Sequence, residues 1–133
     1  LQTGDAIPAA VIDPEKGIIA TFTGLGMHAE INAPVIQLTQ TDMAKLKGLT
    51  LKVGTKMVAV ATYLPDEGNP AATEWKTYKS ILPYAYAADM NEITKAFNGI
   101  PESKWKEFSY GLSCIGDKTK LGMYKINLPG MQA

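Results

Sequence analysis

Period-two alternation, broken at short intervals by glycine and proline, is the feature that most limits what this chain can become. Successive side chains of a strand point to opposite faces, so this pattern marks segments half-buried in a sheet. From Gly17, Ile19, Thr21 and Thr23 face one way and Ile18, Ala20 and Phe22 the other. After Gly24-Leu25-Gly26, Met27, Ala29, Ile31 and Ala33 alternate with His28, Glu30 and Asn32, which predicts a further strand. Val35, Ile36 and Leu38 extend that run past Pro34, and Leu49, Leu51 and Val53 alternate with Thr50 and Lys52. Residues 56–64 are the most apolar run and are expected at the centre of a sheet. The turn formers of residues 65–70 separate them from a strand over 73–82, which predicts an antiparallel pair. Gly116-Asp117-Lys118-Thr119 reads as a hairpin turn before a last strand over 120–128.

Helical signals are fewer. Residues 41–47, closed by Gly48, predict one short turn with a hydroxyl cap. Asp89-Met90-Asn91-Glu92 is the strongest helix start, with Ile93, Ala96 and Phe97 as its apolar stripe and Gly99 and Pro101 as its stop. Pro101-Glu102-Ser103-Lys104 opens a second helix carrying Trp105 and Phe108, although Tyr110, Leu112 and Cys114 fit a strand equally well. About seven short strands with two or three short helices describe a mainly β chain, α+β at the margin. An antiparallel β-sandwich or a small barrel fits that inventory. A length of 133 residues suits a single domain over 1–133. Pro8 and Pro14 make residues 1–16 an extended N-terminal arm, and Pro129-Gly130 begins a short tail over 129–133. Deleting residues 1–15 would then leave a folded monomer unable to assemble.

Charge narrows the choice of partner. Thirteen basic residues, all of them lysine, balance thirteen acidic ones to a formal net charge of zero. Without arginine the chain lacks the forked donors that read guanine edges and clamp phosphates, so duplex DNA is disfavoured. Cys114 is the sole cysteine, which excludes an internal disulfide and a Cys-x-x-Cys site. No apolar run is long enough for a membrane-spanning helix. The start at Leu1 fits a cleaved leader, and an extracellular or virion setting is favoured over the cytoplasm.

Candidate chemistry is sparse. His28 and Glu30 share a strand face, but one histidine cannot complete a catalytic zinc or blue-copper site within one chain, so neither metal nor cofactor is expected. Cys114 reads as an inert thiol. Gly24-x-Gly26 lacks the rest of a phosphate loop and reads as a bulge or close strand crossing. Asp66-Glu67-Gly68-Asn69 reads as a plain turn. No catalytic residue is assigned and the chain is not expected to be an enzyme.

The richest stretch runs from Glu74 to Tyr86. Trp75, Lys76, Tyr78, Lys79, Tyr84 and Tyr86 interleave aromatics with cations, as a protein interface or a single-strand nucleic-acid surface would. Ala9, Ala10, Val11 and Ile12 form the apolar part of the arm, suited to adding a strand to a neighbour. The expectation is a non-catalytic structural or assembly subunit, such as a coat, filament or secreted surface component. It would associate with itself or another protein through backbone pairing and apolar or aromatic contacts. The alternative is a small-barrel module binding single-stranded nucleic acid through Trp75, Lys76, Tyr78 and Lys79.

Overall fold

A computed structural model describes residues 4–28, 31–46, 49, 51–86 and 89–129. The strands are β1 (Asp5–Asp13), β2 (Ile18–Gly24), β3 (Pro34–Gln40), β4 (Lys56–Leu64), β5 (Thr77–Ile81) and β6 (Gly122–Lys125). The helices α1 (Met90–Asn98) and α2 (Glu102–Cys114) lie between β5 and β6. Among the described residues these six strands form one antiparallel sheet in the order β5-β4-β1-β2-β3-β6. Mainly β holds, as six strands curled into a half-barrel with two helices packed against it.

The curl follows from who touches whom. Neighbouring strands lie ~4.8 Å apart, so a flat sheet would hold β3 and β5 ~19 Å apart. Instead Gln37 Nε2 of β3 donates to the Tyr78 carbonyl of β5 at 3.3 Å. Thr77 of β5 likewise reaches Met123 of β6, the opposite end of the sheet, with 3.7 Å between Oγ1 and Sδ. The concave face holds Ala9, Val11, Ile19, Thr21, Val35, Met57, Ala59, Ala61 and Tyr78, all buried. The convex face, with Ala10, Ala20, Phe22, Ile36, Leu38 and Val58, is buried beneath the helices. There Phe22 stacks on Phe108 at 6.0 Å, and Lys56 Nζ lies 5.1 Å from the centroid of the Trp105 ring. Gly111 lets α2 settle onto β3, since a Cβ there would come within 2.7 Å of Ile36 Cδ1.

Several expected elements change. Residues 5–13 are no arm: β1 is the inner strand between β4 and β2, and Ala9, Ala10 and Val11 are buried. Ile12 sits at a register shift against β2. Each proline of that segment is tolerated for its own reason. Pro8 falls where β1–β2 pairing has not yet begun, the first pair being Ala9 with Thr21, so its missing N–H breaks no rung. Pro14 opens the β1–β2 turn, in which Asp13 Oδ1 accepts from the N–H groups of Glu15 and Lys16. Residues 27, 28 and 31–33 form no strand, and Ala29 and Glu30 lie outside the described residues. Gly24-Leu25-Gly26 is instead clasped on both sides: Leu25 N–H donates to Ala33 O, and Trp75 N–H to Leu25 O. A Cβ on Gly26 would overlap the Ile31 carbonyl oxygen, which is why a glycine stands at this crossing.

Leu49, Leu51 and Val53 carry no strand, and the turn expected over 41–47 is a 3-10 turn at Met43–Lys45. Its cap is Asp42, whose side chain accepts from Ala44 N–H. Lys47, Gly48 and Thr50 lie outside the described residues, as do residues 130–133 of the expected tail. Tyr110, Leu112 and Cys114 belong to α2, so Gly116–Thr119 links a helix to β6 and is no hairpin. Asp89 caps α1 by accepting from Asn91 N–H, as its sequence predicts.

Two outcomes follow. Removing residues 1–15 takes out the strand that joins β4 to β2, so that chain is expected to lose cooperative unfolding by circular dichroism. Gly26→Ala forces two backbones apart and should cost about 3 kcal/mol, read from urea denaturation.

Candidate interaction site at the open sheet edge

Hydrogen-bonding direction alternates along a strand, so each edge can be assigned residue by residue. Val11 donates to Thr55 O and accepts from Gly54 N–H, which turns the odd-numbered residues of β1 toward β4. Their partners Met57, Ala59 and Ala61 face β1, leaving Val58, Val60 and Thr62 to face β5. Val60 and Thr62 meet Ile81 and Lys79 there. Val58 lies past the end of β5, where its N–H donates to Tyr84 Oη at 3.0 Å. Pro83 explains that end: it cannot donate to a ladder, and the chain turns through Pro83–Ala85.

The backbone groups of Tyr78 and Ser80 therefore point away from the sheet. Gln37 occupies the Tyr78 carbonyl. The Ser80 N–H and carbonyl have no partner among the described residues. Facing them, Ile126 N–H donates to Pro34 O, so even-numbered residues of β3 turn toward β6. β6 begins only at Gly122, opposite Leu38, and Gly122 has φ of 140°. That left-handed backbone turns the preceding chain off the sheet. The Gln40 backbone is left facing a cleft of about 370 Å³, lined by Ile19, Gln37, Thr39, Ser80, Leu82 and Tyr86 among others. Beside it Ile81 is 50% and Tyr86 66% exposed, and Leu121 and Met123 on the β6 side are exposed too. At the other end of the same seam, Leu25, Trp75, Lys76, Met123 and Lys125 line a cleft of about 340 Å³.

The aromatic and lysine residues of this region do not form one surface. Tyr78 points into the half-barrel, 1% exposed, with its hydroxyl 2.7 Å from Thr21 Oγ1. Tyr84 is buried at the end of β5. Trp75 is half-buried and stacks at 6.1 Å on Tyr63, whose hydroxyl is 2.7 Å from Thr23 Oγ1. Lys76, Lys79 and Tyr86 are exposed. Gln37, Gln40, Ser80 and Ile81 were not singled out by sequence. Their signal was faint: lysines on a short strand that stops at proline are a common way to protect an edge. His28 is exposed, and Cys114 is an exposed free thiol at the end of α2. No group of three or more His, Cys, Asp or Glu suited to a metal ion occurs among the described residues.

Burial governs the tyrosines. It pushes Tyr63 up to about 12, outweighing the lowering by the Thr23 hydrogen bond. It raises Tyr78 against the Thr21 hydrogen bond and Tyr84 against that from Val58. The folded state thus holds these protons more tightly than the unfolded chain, whose phenols ionise near the ordinary value of about 10. Their contribution is complete below pH ~10 and is lost as pH rises toward ~12. Phenolate absorbance should accordingly show Tyr63, Tyr78 and Tyr84 ionising above the ordinary phenol range, together with loss of near-ultraviolet dichroism.

No protein-family model matches the sequence, and no curated protein matches it. Among solved structures, the chain is similar to one from Corynebacterium diphtheriae described as a putative membrane protein. The identity is 20%, the TM-score 0.69, and the match covers 92% of this chain and 100% of that one. At that identity the likeness shows the fold alone. No helix among the described residues is long and apolar enough to cross a membrane.

Proposed function

We propose that this protein is a non-catalytic assembly subunit, a coat, filament or surface component, that meets its partners through an open sheet edge. The observation that carries this reading is the outer edge of β5, where Ser80 presents an N–H and carbonyl without a partner among the described residues, beside exposed Ile81 and Tyr86. A free strand edge is a template for another strand, and natural folds usually blunt or cover it. Here it carries lysines, which keep it soluble, but it also adjoins apolar side chains that gain by leaving water. The association moves from the N-terminal segment, which is committed to the sheet, to β5 and its surroundings. Backbone pairing and apolar contact remain the two sources of affinity.

Sedimentation velocity over a micromolar-to-millimolar concentration series tests this reading. The wild-type chain is expected to form larger species, and the double variant Ile81→Lys, Tyr86→Ser to remain monomeric with unchanged thermal unfolding. A wild-type chain that stays monomeric throughout, or a variant that assembles equally well, would rule out self-assembly through this edge.

A further inference from the structure

The cleft beside β5 lies where the sheet lacks a strand between β3 and β5. At the level of Gln37 the seam is filled: β6 lies against β3, Met123 opposite Gln37, and Thr77 of β5 touches Met123. One turn of pleat further on, β6 has left the sheet at Gly122, while β3 continues to Gln40 and β5 to Ile81. The space between them is therefore what β6 would have filled had it begun a few residues earlier. About three residues of extended chain rise ~10 Å, enough to run the length of this gap. On one wall stand the outward N–H and carbonyl of Ser80, and on the other the outward backbone of Gln40. The walls also carry Gln37, Thr39 and Thr41, and the floor is apolar, with Ile19 and Leu82.

We propose that this slot is a strand-addition site for an extended, acidic segment of a partner protein. The inference rests on the reading of β5 as an association edge and adds what occupies it. Three features select that occupant. A slot bounded by strands on both sides admits a single strand and not the edge of a second complete sheet, so copies of this chain associate through the exposed Ile81 and Tyr86 beside it and not by direct β5-to-β5 pairing. Such pairing would also bring the Lys79 side chains of two copies close together, and like charges across a strand pair repel. Among the described residues Lys79 is the one charged residue lining the slot, so a carboxylate on the exposed side of the incoming strand is favoured. Side chains on the opposite side of that strand meet Ile19 and Leu82 and are best small and apolar. The recognised pattern is alternating apolar and acidic, with affinity from main-chain bonds and selectivity from alternate side chains.

The test uses the whole chain and a fluorescent, end-blocked hexapeptide alternating valine and glutamate, with a valine–lysine hexapeptide as its counterpart. Binding is read by anisotropy at low salt. The valine–glutamate peptide is expected to bind at least about tenfold more tightly than the valine–lysine peptide, and Lys79→Glu to abolish that preference. Ser80→Pro removes the outward N–H while leaving the β4 ladder intact, as edge strands permit, and should weaken binding at least about tenfold. Ser80→Ala keeps the N–H and should bind as wild type. If Ser80→Pro fails to fold, valine–glutamate peptides N-methylated at one or the other set of alternate amides lose the bonds that peptide N–H groups donate to the Ser80 carbonyl on one wall or to the Gln40 carbonyl on the other, and should bind at least about tenfold more weakly. Undiminished binding by Ser80→Pro, or by both methylated peptides, overturns strand addition. Equal affinity for both peptides, or saturable binding of neither, overturns the acidic occupant. A wild-type chain that self-assembles through Ile81 and Tyr86 yet ignores both peptides leaves the association edge standing and removes this inference.

Discussion

Thr21 Oγ1 and Tyr78 Oη lie 2.7 Å apart although their strands, β2 and β5, are three places apart in the sheet. That buried pair, with Thr23 and Tyr63 beside it at the same distance, closes the concave side of the half-barrel on polar groups that satisfy one another. Leaving such a hydroxyl unpaired would cost about 1–3 kcal/mol, more than the bond itself contributes. The arrangement needs room, and the small buried side chains of Ala9, Ala59 and Ala61 on the same concave face leave it. Curl, burial of the concave face and the raised tyrosine pKa values all follow from this packing. Only the convex face needs the helices.

Curling without closing has consequences at the seam. The two ends of the sheet approach until Thr77 reaches Met123, but their backbones do not pair. Closure would demand a longer β6, and the φ of 140° at Gly122 turns the chain away before that length is reached. Pro83 likewise ends β5 early, and Tyr84 supplies the hydrogen bond that the next rung would have made to Val58. The same interruptions that prevent a complete barrel leave Ser80 and Gln40 facing a slot. The proposed association needs no chemistry beyond such an edge, and Lys79 beside it is the kind of charge that blunts an edge strand.

Much of this was legible in the chain. Alternation placed β2, β4 and most of β3, turn formers placed the β4–β5 pair, and Asp89 with the stripe ending at Phe97 placed α1. The segment beginning at Asp5 was misread because Pro8 reads as a break wherever a ladder hydrogen bond is needed. In the fold Pro8 stands just outside the β1–β2 ladder, a fact that depends on register and cannot be seen along the sequence. Alternation over residues 27–33 was real but carried no strand, because Gly24 to Gly26 are gripped by residues distant in sequence. For Tyr110 to Cys114 both periods fitted, and packing of Phe108 on Phe22 resolved it as helix.

By itself, the sequence determined a mainly β chain with one clear late helix start at Asp89, no internal disulfide, and no net charge to steer a charged partner. These are local and additive properties, set by side-chain period, turn chemistry and counting. Only the tertiary structure decided that the N-terminal segment is an inner strand, that Tyr78 is a core residue and Lys79 a surface one, and that β5 is an edge strand. Those depend on strand order and on the direction of each backbone hydrogen bond. Both are relations between segments far apart in the chain, and no local pattern encodes them.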